Sequence, residues 1–478
     1  MPITALPLEI LLQVTAFLDK KSLLDLRLVS HSIHAPVTSI ALRHISVPFH
    51  SLSASIYCPF IEGIHTSNLE NNARYLCARM GYAMVTPNDA WFADVLETIS
   101  LMTRLTSFSL LAGDGPKHWW NSTFSPKPQS PLQAKHDLLI KAVLHATSTG
   151  IPRDRIIDDD IGLTELILEL VPGSRTLPNV SGFDKLKKLH VLRDLNTCPC
   201  GIRVIPSVAQ PAPRIGQDIS QIIEENPGLE YLAILNGCSH YTIPFNDILP
   251  LNSSATTSSG LLNQLTTLIL RGVAMVPSSN GDNSLLPLTA VAQLRHVEVY
   301  SRQDHSPYTR LWNSLKAAKT ELEILVTHQI DTSLINYLSS FSGLRVLEVY
   351  DLSASHDTDS SDIVRHFRDI VLRRHSTTLQ TLILEPSGVV PVLDNWSFTR
   401  AGWGPALSRL TALETLCVPP KLDDVFSAAS RPSDEFVPAI ATLFSGMVEM
   451  VEDYPTLKTL EIHWYDQGYQ DQWWMSKV

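Results

Sequence analysis

The sequence predicts an α/β protein: a short N-terminal module of three helices, then an irregular solenoid with a curved parallel sheet and outer helices. Three observations lead there. A phrase of the form L-x-x-L-x-L recurs eleven times between Leu105 and Leu457. Stretches of helical periodicity separate the phrases, and strand signals alternating with helical ones indicate parallel pairing. The chain has 478 residues, too many for one compact core unless that core is built by repetition.

The module comes first, in residues 6–37. Leu6-Pro7 opens a first helix, because proline suits a first-turn position where its missing N–H is not needed. Glu9 stands in the positive first turn. Ile10, Leu11, Val14, Phe17 and Leu18 then follow at helical spacing. Asp19-Lys20-Lys21 makes a polar turn, and Ser22 can cap a second helix carrying Leu23, Leu24, Leu26, Leu28 and Val29. A third helix is expected over His31–Ile45. So small a unit buries little surface, yet its longer helices are apolar over more than one face, which suits a docking module covered by a partner.

The run resembles an F-box, the module that attaches a substrate receptor to the Skp-type adaptor of a cullin–RING ubiquitin ligase. Leu6, Pro7, Glu9 and Ile10 fit the opening motif. Val14, Phe17 and Leu18 fit the first-helix core, and Leu23, Leu24, Leu26, Arg27, Leu28, Val29 and Ser30 fit the second-helix signature. Ile33 stands where the family usually has an aromatic, and Pro36 falls inside the expected third helix. The resemblance implies an adaptor contact through Leu6, Pro7, Ile10, Leu11, Val14, Leu24 and Val29. The F-box is placed at 1–46, a bridging helical segment at 47–104 and the repeats at 105–478. Within the bridge, Leu69–Met80 and Trp91–Met102 look helical.

The phrases begin at Leu105, Leu163, Leu186, Leu229, Leu265, Leu294, Leu322, Leu344, Leu379, Leu413 and Leu457. Strand alternation sends their fourth and sixth positions to one face and the third, fifth and seventh to the other. Helical patterns start near Ile215, Arg310 and Asp362. One strand and one helix cannot close a core, but stacked neighbours can. The pattern resembles the leucine-rich repeats that often follow an F-box, in the divergent form found in fungi. Steps of 29, 28 and 22 residues from Leu265 to Leu344 match that family; longer steps of 34–44, and one of 58, imply insertions. Ala112–Leu132, Leu195–Pro213, Asn252–Gly260 and Pro277–Pro287 read as those insertions.

Composition narrows the function classes. A formal charge of −11 disfavours nucleic acid, where phosphate contacts supply most affinity, and disfavours anionic membrane. No apolar run is long enough to span a bilayer, and the start lacks a secretory pattern, so cytoplasm or nucleus is expected. Six scattered cysteines form no disulfide framework. Phosphate loops, nucleophile elbows and zinc-protease motifs are missing from the sequence. Cys198 and Cys200 with His190 lack a second pair at finger spacing, and Asp158-Asp159-Asp160 reads as a solvated approach to a strand. No catalytic residue, cofactor or metal is expected.

If the phrases stack, outward positions form ladders: Arg271, Tyr300, His328, Tyr350 and Glu385 at position seven, Glu298 and Glu348 at five, His296 at three. Arg271, His296, Tyr300, His328 and Tyr350 are the candidate substrate-binding residues, because aromatic and ionisable groups on a rigid face suit protein recognition. The C-terminal run with Trp464, Tyr465, Tyr469, Trp473 and Trp474 reads as a cap on the last repeat. The expected function is that of a non-catalytic substrate receptor of a cullin–RING ligase, with the Skp-type adaptor, cullin and a protein substrate as partners. A scaffold that assembles a complex without ubiquitylation, and an enzyme hidden in the α/β region, are the competing readings.

Overall fold

The computed structural model describes residues 10–49 in part, 72–80, 90–112, 131–148, 162–170, 176–193, 214–236, 243–248, 263–274, 291–300, 308–350, 360–385, 400–417 and 454–461 in part. The chain divides into two compact units, Met1–Ile243 and Pro244–Val478.

In the first unit, Ile10, Val14 and Thr15 are helical, and two further helices follow, α1 (Lys20–Leu26) and α2 (His31–Ala41). Leu23 of α1 packs with Ile33, Val37 and Ala41 of α2, flanked by Leu18, Leu26 and Ile40. Ile33 thus fills the centre of this small core, and α2 runs through Pro36. The helix stops at Ala41, short of the expected Ile45, because the next residues enter a strand.

The rest of the first unit is a parallel sheet: β1 (His44–Pro48), β2 (Tyr75–Met80), β3 (Ser107–Ala112), β4 (Glu165–Leu170), β5 (Lys188–Arg193) and β6 (Tyr231–Asn236). Each strand pairs with the next in sequence. Helices α3 (Ala90–Ser100), α4 (Pro131–Ser148) and α5 (Ile215–Glu225) lie between strands in the chain. In the second unit the sheet is β7 (Thr267–Arg271), β8 (His296–Tyr300), β9 (Ile324–Thr327), β10 (Val346–Val349), β11 (Thr381–Leu384), β12 (Thr415–Cys417) and β13 (Thr459–Glu461), again parallel and in sequence order. Its helices of seven or more residues are α6 (Thr309–Ala317), α7 (Thr332–Leu338), α8 (Ser360–His366) and α9 (Arg400–Leu407), and shorter ones span Phe245–Ile248 and Leu372–Arg374. A π-helical turn, Phe367–Val371, continues α8 and turns Phe367 and Val371 inward. Among the described residues no helix is long and apolar enough to cross a membrane.

All eleven phrases are strands of these sheets, and within each unit they share a register: the third position of one pairs with the third position of its neighbour, as in His296 with Thr267 and with Ile324. The second-position carbonyl accepts two amides from the next strand. Thr266 O, for example, takes Arg295 N at 2.8 Å and His296 N at 3.0 Å. Positions four and six are buried as alternation requires: Leu268, Leu270, Val297, Val299, Leu347 and Val349 are inaccessible to solvent or nearly so. The helices supply the other half of the core through Ile219, Ile222 and Ile223 on α5, Leu311 and Trp312 on α6, and Leu334 and Leu338 on α7. The turn into β10 uses Gly343 at φ +116°, a conformation that side-chain-bearing residues rarely adopt.

Beside the eleven, these sheets hold two further strands, β1 and β2, and the short strands Ile243–Pro244 and Val273–Ala274 pair separately. Residues 42–47 read L-R-H-I-S-V, and Arg43 O accepts Arg74 N and Tyr75 N in the same double pattern. Residues 73–78 read A-R-Y-L-C-A, and Arg74 O accepts Thr106 N and Ser107 N. The segment expected to bridge as helices therefore contributes β2, and Tyr75–Met80 is a strand where a helix was expected. Leu76, Ala78 and Met80 are buried in alternation. Trp91 lies in α3 as expected.

Candidate functional site

The second unit presents the ladder face that the phrases lay out. On β7 and β8, Arg271 Nη2 donates to Glu298 Oε2 at 2.8 Å, and His296 Nε2 lies 3.0 Å from Glu298 Oε1. Partial burial of Glu298 alone would raise its pKa, but the bonds from His296 and Arg271 outweigh it and hold the carboxyl below its ordinary value. The carboxylate is therefore a fixed negative charge clamped from both sides.

Two of the three aromatic groups expected on this face meet there. Tyr300, at the end of β8, and His328, just past β9, have ring centroids 4.4 Å apart at 30°. Both are half-buried. Tyr350 does not share that exposure. It is only 7% exposed and packs with Ile383, Cys417 and Val326 in an apolar cluster on the same face. Its hydroxyl donates to Glu348. Burial first, then the charges of Glu348, Glu385 and Glu298, push its ionisation far above the ordinary tyrosine range. The usable surface is thus Tyr300, His328 and the Arg271–Glu298–His296 network, with Tyr350 as a buried support. Alternation placed Tyr350 on the correct face but could not show that neighbouring apolar side chains close over it.

At the N-terminus, Ile10, Val14 and Phe17 are 42%, 39% and 89% exposed. Val14 is helical and Phe17 lies in the turn that follows, where its amide donates to Val14 O at 3.1 Å. Thr15 beside them is buried. Leu24 lies on α1. Leu6, Pro7, Leu11 and Val29, and the side chain of Leu24, lie outside the described residues, as do Trp119, Trp120, Cys198, Cys200, Asp158–Asp160 and the aromatic C-terminal run.

The first unit carries a polar constellation that the sequence did not single out. Glu165 on β4 lies 3.8 Å from His190 Nε2 on β5, and His190 meets the Tyr231 ring on β6 at 4.6 Å. Interaction with His190, against the opposing effect of burial and with help from Ser107 and Lys188, holds Glu165 down at about 2. Its signal was available, since Glu165, Lys188 and Tyr231 all occupy third positions. Among the described residues, no group of three His, Cys, Asp or Glu side chains could hold a metal ion. No protein-family model and no curated protein matches this chain.

Proposed function

We propose that the chain is a substrate receptor of a cullin–RING ubiquitin ligase. Its N-terminal module would bind a Skp-type adaptor, and its strand ladders would hold a protein substrate in the cytoplasm or nucleus. The observation that carries this is the exposure of Ile10, Val14 and Phe17 in a module that has a small core of its own, Leu23 with Ile33, Val37 and Ala41. Three apolar side chains left in water, in a module whose other apolar side chains pack together, suit a surface that a partner covers. Parallel strands in sequence order with helices between them resemble leucine-rich repeats, which suits a support for a recognition face. Chemistry would belong to the partners; the receptor raises the local concentration of substrate lysines at the ubiquitin carrier.

The test is co-precipitation of the adaptor with Ile10→Ser, Val14→Ser double-mutant chain. Both positions are exposed, so folding should change by about 0.5 kcal/mol or less each. Adaptor binding should be lost, because anchors in a partner groove contribute on the order of 1–2 kcal/mol or more apiece. Full retention of binding by a folded variant overturns the assignment.

A further inference from the structure

The first leucine of every phrase but the last is buried, and its amide stands at the entrance to the strand. At two repeats a side chain from the turn before the next phrase takes that amide. Leu186 N donates to Asn226 Oδ1 at 2.7 Å, and Asn226 Nδ2 donates onward to Ile222 O at 2.8 Å. Leu344 N donates to His375 Nδ1 at 3.3 Å, and His375 Nε2 lies 3.0 Å from Leu338 O. The same slot holds a carboxamide in one unit and an imidazole in the other. A carboxamide has no proton to gain near neutral pH; an imidazole does.

These two bonds fix the tautomer of His375. Nε2 must carry the hydrogen to reach a carbonyl, and Nδ1 must keep its lone pair to accept an amide. An imidazolium has no such lone pair, so a second proton would turn the Leu344 contact into two donors facing each other. We propose that His375 is a proton-operated clip between successive repeats: one added proton releases the turn before β11 from Leu344 and loosens β10 against β11, while the Asn226 clip does not respond.

The surroundings support a clip that is closed at neutral pH. His375 is buried, and burial, with a smaller effect of the Arg374 charge and against the pull of the Leu338 carbonyl, lowers its pKa to about 4. Arg374 belongs to its own helix end. From the elements packed nearby come the Phe341 ring, edge-on at 5.0 Å; Tyr337 behind it at 4.9 Å; and Ser339, which meets His366 Nε2 at 3.4 Å. Thr378 Oγ1 holds the carbonyl of the same Leu344 at 2.9 Å, so both polar groups of that leucine depend on this one turn. The clip does not rest on the receptor reading, but it acts on it: β10 and β11 carry Glu348 and Ile383, and Tyr350 follows β10 directly.

Amide hydrogen exchange on the full chain between pH 7 and pH 4.5 tests the clip, with protection corrected for intrinsic rates. The Leu344 amide should lose protection by up to about tenfold per pH unit below pH 6.5. The Ile324 amide, bonded to Arg295 O in the same unit without a titratable partner, should fall less steeply. His375→Asn should restore the Asn226 arrangement and remove the excess loss at Leu344. A Leu344 amide that is indifferent to pH, or that tracks Ile324 throughout, overturns the proposal. If the asparagine variant does not fold, the comparison of these two amides in the unaltered protein decides it.

Discussion

Tyr308 donates its phenol to the backbone carbonyl of Val273, 2.8 Å away and 35 residues earlier in the chain. The bond runs from the residue before α6 to the segment just after β7. It lies wholly in the interior, and burial pushes the phenol well above the ordinary tyrosine range. Tyr308→Phe keeps the ring and its contact with Trp312 but removes the hydrogen bond to that buried carbonyl. The variant should unfold with a stability lower by about 1–3 kcal/mol. Urea denaturation checks this; an unchanged midpoint would mean that the carbonyl finds another donor.

Acid should weaken the first unit through His136 on α4. This imidazole is buried, its Nε2 has no hydrogen-bond partner, and burial lowers its pKa from 6.5 to about 4. An imidazole whose folded pKa lies below its unfolded value contributes stability that is fully present above pH 6.5 and is lost as pH falls toward 4. The two-and-a-half-unit gap corresponds to about 3 kcal/mol. Denaturation curves at pH 7 and pH 4.5 should show most of that loss, and His136→Phe should show less of it. Equal pH dependence in both proteins would exclude His136 as the source.

Glu298→Gln should remove the charge that Arg271 and His296 share. These side chains are about a quarter exposed or less, so solvent screens the network only in part. The expected loss is about 1–2 kcal/mol. It should be largely absent when Arg271→Met is already in place, because the two residues act as one unit. A double-mutant cycle that comes out additive would show the contact to be energetically empty.

On the receptor reading, Tyr300→Ala with His328→Ala should remove a specific subset of co-purified proteins while folding and adaptor binding persist. Tyr350→Ala should instead damage stability, because Tyr350 is packed against Ile383 and Cys417. If the first variant leaves the set of bound proteins unchanged, the substrate engages elsewhere.

Most of the architecture was legible because leucine periodicity and strand alternation are local. Eleven phrases became eleven strands, with the fourth position buried in all but the last, where Leu460 is half-buried. The two strands that escaped notice show where local patterning stops helping. Residues 42–47 carry the pattern with Ile45 and Val47 in place of leucines, directly against the end of α2, so apolar helical spacing continues into the strand. Residues 73–78 replace the first and last leucines with Ala73 and Ala78, which erases the phrase while still filling the narrow interior. The clips were hidden for another reason. Asn226 and His375 reach partners 40 and 31 residues away, and nothing in a linear pattern marks such a pairing.

The common register of the strands has a mechanical consequence. Among the described residues the inner strands of each unit's sheet are held edgewise by their two sequence neighbours, and the second-position carbonyl concentrates two of those bonds at one atom. A pull applied along the stacking direction within either unit would load these bonds one pair at a time rather than together. Extension should therefore yield a series of small rips, each the length of one strand–helix step, with longer releases where the insertions lie.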